Sequence, residues 1–218
     1  MPSKPAHEII FYSFPTSGHA HRVDLLLRAL DLPFKRIDVD LGAKVQKQPD
    51  FVAMNPFGQV PVIDDNGTVI WDSTAILMYL ALTYGDDTYL PREPKAMAEV
   101  VAWLGKASGP IMFGPALARR INVLNNNASK VSSHAIAADL LTVMDSLLTK
   151  QKWLVAGRPT IADMAAYAYV AHAPEGDIDL EPYAHVLAWL ERVENLPFFV
   201  PMPRTPVGLW RIPAQTGE

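Results

Sequence analysis

Residues 55–80 read NPFGQVPVIDDNGTVIWDSTAILMYL, and the first half of the fold follows from them. Two short β-like runs, 60–64 (VPVID) and 68–72 (TVIWD), flank Asp65, Asn66 and Gly67, a trio that favours the tight turn of a hairpin. From Ser73 onward, Ile76, Leu77 and Leu80 fall at helical spacing and predict a helix with one buried side. Ahead of the hairpin, the turn-forming residues Asn55, Pro56, Phe57, Gly58 and Gln59 lead into Val60 and Pro61. A proline is tolerated at the first residue of a strand. By chain chemistry alone the Val60–Pro61 bond is expected to be trans, because only about 5% of X–Pro bonds are cis.

Upstream, residues 8–13 (EIIFYS) read as a strand, followed by a turn at Pro15. Next comes a helix whose apolar positions Ala20, Val23, Leu27 and Leu30 lie 3 and 4 apart. Residues 34–40 (FKRIDVD) alternate at Ile37 and Val39, as a second strand joined through that helix would. The order is thus βαβ followed by ββα, an α/β unit with a mixed four-stranded sheet. Downstream the pattern turns wholly helical, with segments at about 95–125, 130–150, 161–173 and 182–195. Gly109, Pro110, Gly114 and Pro115 break or kink the first of these. Two domains are expected, 1–84 and 94–218, joined by a linker at 85–93. The proline-rich tail, Pro197 to Pro213, is too punctuated for a helix and is expected to wrap the surface.

Composition narrows the function. The 218 residues suit one or two domains, and with half of them hydrophobic and 19% charged a folded core is well supplied. A net charge of −4 gives no broad electrostatic reason to hold nucleic acid or a membrane surface. There is no cysteine. Disulfides, thiolate metal sites and a cysteine nucleophile are therefore excluded, no metal is expected, and any thiol chemistry must use a thiol that a ligand brings. Met1 to His7 lack the apolar stretch of a signal peptide, and no run of 18 apolar residues occurs, so a cytoplasmic location is expected.

The 55–80 run resembles the glutathione-binding half of the glutathione S-transferase family, whose hallmark is a cis-proline after Val and an acid–Ser pair opening the next helix. The resemblance continues through the helical second half and points to a bacterial member similar to the plant phi, or serine, class. It implies a thioredoxin-like first domain, glutathione as co-substrate, and a cis bond before Pro61. With Pro61 cis, the Val60 N–H and C=O would face outward and pair with the peptide backbone of the cysteinyl unit. Ser73 would cap its helix and hold the γ-glutamyl carboxylate, with Asp72 near the ammonium. Family members usually carry Glu where this chain has Asp72, one methylene shorter. KQPDFVAMNPFGQVP, from residue 47, resembles a serine-class pattern in which Lys47 and Gln59 reach the glycine end and backbone of glutathione.

YSFPTSGHAHRV, from residue 12, resembles the turn in which serine-class members place a hydroxyl six residues before a core Val, and counting back from Val23 gives Ser17. Thr16 and Tyr12 are rivals. The role is hydrogen-bond donation to the sulfur: lowering a thiol from pKa ~8.5 by two units needs about 2.7 kcal/mol, a scale that a hydroxyl and a helix N-terminus can supply. Gly18 would let a ligand approach the backbone. His19 and His21 read either as groups that tune the thiolate or, the commoner case for a histidine on an exposed helix face, as solvated residues.

In the second half, Thr160 and Asp163 read as a capping box, a folding signal that the family shows in its buried sixth helix. An apolar electrophile pocket is expected between the domains, lined by Phe14, Met112, Phe113 and Leu117. Phe57 is either a core or loop residue or, as in related dimers, a side chain that enters a partner in a homodimer. The expected function is detoxifying transfer of glutathione to small hydrophobic electrophiles. The alternatives are glutathione-dependent reduction of peroxides or disulfides, or a non-catalytic glutathione-binding or protein-interaction module.

Overall fold

The computed structural model describes residues 4–125 and 127–205. Strand β1 (Ile9–Ser13) leads through helix α1 (Gly18–Ala29) to β2 (Phe34–Asp38), and a short 3-10 turn (Val45–Lys47) precedes α2 (Pro49–Met54). The hairpin β3 (Val62–Asp65) and β4 (Thr68–Trp71) then runs into α3 (Ser73–Thr83). The sheet order is β2-β1-β3-β4, with β1 parallel to β2 and the other neighbours antiparallel. This is the βαβ-ββα mixed sheet expected from the sequence. Asn66 (φ 50°) and Gly67 (φ 90°) both adopt left-handed backbone, which lets the two-residue loop follow the twist of its strands. All four strands are shorter than expected: β1 begins at Ile9, β2 ends at Asp38, β3 runs from Val62, one residue beyond Pro61, to Asp65, and β4 ends at Trp71.

Alternation along β1 sorts the sheet's two faces. Ile9 and Phe11 are fully buried in the main core with Val23 and Leu27 of α1 and Ile76, Leu77 and Leu80 of α3. Tyr12 points to the opposite face, into a small cluster of Val39, Phe51 and Val62 closed by α2. These are the two sides of a period-2 strand between helical layers.

The second half is helical: α4 (Pro94–Ser108), α5 (Leu117–Val123), α6 (Val131–Leu148), α7 (Ile161–Ala171) and α8 (Ala184–Glu194). Between α4 and α5 the chain makes a π-helical turn, Met112–Ala116, around Pro115. The missing proline N–H forces that widening, so the expected 95–125 helix is broken where its prolines and glycines fall. By length and mean hydropathy (1.2) α6 reaches the range of a bilayer span, yet Ala137, Leu140, Leu141, Met144 and Leu148 bury its apolar side in the bundle.

Helix α7 is the centre of the molecule, with every residue from Ile161 to Val170 buried. It packs on α1, α3, α4 and α8, so one core runs through both halves. Its start is the expected capping box, in which Thr160 accepts the Ala162 amide and Asp163 accepts the Thr160 amide. Beyond α8, Phe198, Phe199 and Val200 pack against this core; the rest of the expected surface tail, from residue 206, lies outside the described residues.

Candidate functional site

A cleft of about 290 Å³ opens where the loop before β3, the β4–α3 junction and the first turn of α1 converge; its walls include His19, Gln59, Val60, Pro61, Asp72 and Ser73. The Val60–Pro61 bond is cis, as the family resemblance implied and against the trans expectation from chain chemistry. Val60 stands outside the β3 ladder, and neither its N–H nor its C=O enters a backbone hydrogen bond among the described residues. Both groups are available to an extended peptide laid beside Val60. Asn55, buried and treated in the sequence only as a turn former, holds the loop by donating from Nδ2 to the Gln59 carbonyl (2.8 Å) and accepting the Phe57 amide (3.0 Å). Lys47 is not in the wall of the cleft; its Nζ donates at 2.9 Å to the carbonyl of Phe57, which is a wall residue.

The acid–Ser pair is built differently from expectation. Asp72, not Ser73, is the N-cap of α3: it takes a positive φ (67°, with ψ 126°), and Oδ1 accepts the amides of Thr74 (2.8 Å) and Ala75 (3.3 Å) and the Thr74 hydroxyl (2.5 Å). Burial pushes the Asp72 pKa up, but these hydrogen bonds prevail and hold it below its ordinary value. Ser73 is the first residue of the helix, and its hydroxyl faces Arg22 Nη1 at 3.2 Å and His19 Nδ1 at 3.3 Å. Arg22 is fully buried, and its Nε and Nη2 have no partner among the described residues. Burial lowers its pKa to about 10, so it stays charged at neutral pH behind Ser73.

His19 and His21 depart from the solvated face expected for them. His19 lies edge-on to Tyr169 (5.1 Å between ring centres), with Nε2 at 3.3 Å from Met112 Sδ. His21 is 7% exposed, and its Nε2 meets the Val200 carbonyl at 2.7 Å. The residues that cover this part of α1 come from the second half of the chain, which no local pattern in α1 could reveal. Burial, with the Arg22 charge adding to it, lowers the His19 pKa to about 3; burial also lowers that of His21. An unfolded chain accepts protons at these two histidines below about pH 6.5 that the folded chain refuses. Stability is therefore expected to fall as pH drops through about 6.5, and urea midpoints measured from about pH 7.5 to 5 check this. A flat profile over that range would contradict it.

Ser17 is the N-cap of α1, with Oγ accepting the Ala20 amide at 3.2 Å. That bond uses a lone pair and leaves the hydroxyl proton to donate elsewhere. Thr16 is tied through its carbonyl, which accepts from Arg119 Nη1 at 3.1 Å. Tyr12 packs edge-on to Phe51, 6.0 Å between ring centres. None of the three is in the wall of the 290 Å³ cleft, which α1 enters through His19. At Gly18 a Cβ would stand 2.8 Å from the Tyr169 ring, so the glycine lets α7 press on the first turn of α1.

Of the residues expected around an electrophile, Met112 meets His19, Phe14 and Leu117 are half-buried, and Phe113 is 56% exposed. A larger cavity, about 640 Å³, lies between α4 and α6, walled by Trp103, Lys106, Ile136, Leu140, Val143 and Leu147, and touches none of those four.

A mixed βαβ-ββα sheet with a cis-proline just before its inner strand β3, joined to an all-α half, defines a thioredoxin-like domain carried on a helical one. The family model for the glutathione S-transferase N-terminal domain matches residues 7–82, and that for the C-terminal domain matches residues 110–197. The chain is 31% identical to Glutathione S-transferase 3 of Zea mays over 89% of its own length and 96% of the relative's. It is 30% identical to the disulfide-bond oxidoreductase YfcG of Escherichia coli over 84% of its length and 89% of the relative's. The crystal structure of a glutathione S-transferase from Pseudomonas fluorescens superposes with a TM-score of 0.84 at 32% identity, covering 90% of this chain and 99% of that one. The chain belongs to the glutathione S-transferase family.

Proposed function

We propose that the protein is a cytoplasmic glutathione transferase that activates the glutathione thiol for attack on small hydrophobic electrophiles. The observation that carries this is the Val60 backbone beside cis-Pro61, in one cleft with Asp72 and Ser73. In this reading Val60 pairs with the cysteinyl backbone, and Ser73 with the α3 amides takes the γ-glutamyl carboxylate. Asp72 Oδ2, which takes no part in the cap, faces the ammonium, while Gln59 and Lys47 serve the glycine end. Ser17 donates a hydrogen bond to the sulfur, whose own proton passes to solvent as the thiolate forms, and the electrophile enters over Phe14, Met112, Phe113 and Leu117. The thiolate then attacks, the new carbon–sulfur bond forms, and the leaving group departs with its electron pair. Calorimetric titration with glutathione tests the binding, and absence of binding at millimolar glutathione would overturn the reading.

The likeness to YfcG favours a second reading, disulfide reduction. Because the chain has no cysteine, a glutathione thiolate would attack a mixed disulfide directly, releasing the substrate thiolate and oxidised glutathione. A substrate screen over halogenated aromatics, enals, hydroperoxides and mixed disulfides separates the two.

The dimer is part of the same proposal. Phe57 is 63% exposed and rests on Trp71, with 5.3 Å between ring centres, while the groove between α4 and α6 is open and apolar. A second copy's Phe57 fills that groove. Phe57→Asp is expected to weaken the dimer by roughly thirtyfold or more, which sedimentation velocity reads directly; an unchanged dimer would remove Phe57 from the interface.

A further inference from the structure

The turn that carries Ser17 is held from the second half of the chain. Arg119 of α5, itself buried, donates through Nη1 to the Thr16 carbonyl (3.1 Å) and through Nε to Glu175 Oε2 (2.7 Å). Glu175 belongs to the 3-10 turn Ala173–Gly176 and is fixed in turn by His172 Nδ1 (2.5 Å), the Thr205 amide (3.2 Å) and the Thr205 hydroxyl. Asn122 Nδ2 reaches the Glu175 carbonyl at 2.9 Å. Gly176 permits the close stacking of this turn on α5, since a Cβ there would lie 2.6 Å from the Arg119 amide nitrogen.

A peptide unit is planar, so the Thr16 carbonyl and the Ser17 N–H share one rigid plane. Arg119 holds the carbonyl end, and the Phe14 carbonyl holds the other by accepting the Ser17 N–H at 3.0 Å. With that plane held at both ends and Ser17 Oγ accepting the Ala20 amide at 3.2 Å, the Ser17 side chain is positioned at the start of α1. Buried ion pairs are weak contributors to stability, because desolvation offsets much of their attraction. The specific consequence of this one is geometric.

We infer that Arg119, braced by Glu175, is a positioning residue that aims Ser17 at the glutathione sulfur. The inference rests on the proposed role of Ser17, and it makes thiol activation a joint property of both halves of the chain. Substrate and product need not touch Arg119.

Arg119→Lys keeps the charge beside Glu175 but removes the guanidinium fork that spans both partners. In the full-length variant the pKa of bound glutathione, read from thiolate absorbance against pH, is expected to rise by about half to one unit. The kcat at neutral pH should fall roughly 1.5- to threefold from a bound pKa of about 6.5, with KM for glutathione within about twofold because the Val60 and Ser73 contacts are untouched. Thr205→Val, which loosens Glu175 alone, is expected to shift the thiol pKa in the same direction by less, and it carries the test should Arg119→Lys not fold. If wild type activates glutathione and the folded variant does so with an unchanged thiol pKa, the positioning role is overturned while the glutathione reading stands. If wild type itself leaves the bound thiol unshifted, both fall together.

Discussion

Replacing Ser17 with alanine is expected to raise the pKa of bound glutathione by about one to two units and, from a bound pKa of about 6.5, to lower turnover at neutral pH roughly three- to twenty-five-fold. A hydrogen bond to a charged group contributes about 1.5–3 kcal/mol, and all of it bears on the thiolate rather than the thiol. The geometry suits this, because Ser17 Oγ satisfies the Ala20 amide with a lone pair and keeps its proton for the ligand. Ser17 cannot serve as a base, since a hydroxyl stays protonated at this pH, so the loss should follow the thiolate fraction and shrink as pH is raised. Glutathione affinity should change little. Loss of the α1 cap costs about 1 kcal/mol besides, which thermal melts measure separately. Thr16→Val and Tyr12→Phe should leave the thiol pKa in place; a rise in either, with Ser17→Ala unshifted, would move the role to that residue.

Asp163→Ala is expected to be the most destabilising single change, by about 3–5 kcal/mol. One carboxylate accepts four donors: the Thr160 amide (2.9 Å) and hydroxyl (3.1 Å), the Leu154 amide (3.0 Å) and Trp189 Nε1 (2.9 Å). Burial pushes its pKa up, against the pull of those donors. Alanine would leave four polar groups unpaired where water does not reach, at the start of the helix on which α1, α3, α4 and α8 all pack. Equilibrium urea unfolding measures the loss. A cost under about 1 kcal/mol would reduce the network to an ordinary exposed cap.

The first 84 residues were legible because their signals are local. Asn66 and Gly67 could be read as a hairpin because few residues accept left-handed backbone, and Ile76, Leu77 and Leu80 because a helix repeats every 3.6 residues. The capping box was legible for the same reason, since Thr160 and Asp163 lie three residues apart. The cis bond was not: nothing in Val60 and Pro61 themselves outweighs the trans preference, and the family pattern supplied it.

The site was half legible. Val60, Asp72 and Ser73 follow one another along the chain and meet in one cleft, but their partners come from far away. Ser favours the cap position, yet Asp72 occupies it at a positive φ, which leaves the Ser73 hydroxyl to meet Arg22 and His19. The histidines were misread because an α1 sequence does not show that Tyr169, Met112 and Val200 will cover it.

By itself, then, the sequence determined the order of strands and helices, the hairpin, the cap of α7, and the absence of any thiol belonging to the protein. Periodicity, turn chemistry and composition act over a few residues and survive translation into a linear string. Tertiary structure alone decided which side chains surround the start of α1: the Tyr169 ring on Gly18, Arg119 on Thr16, and the buried charge of Arg22 behind Ser73. Those contacts join residues about 50 to 150 positions apart. They exist because α1 is buried between the sheet and α7, where each polar group must find its partner in whatever segment the packing brings.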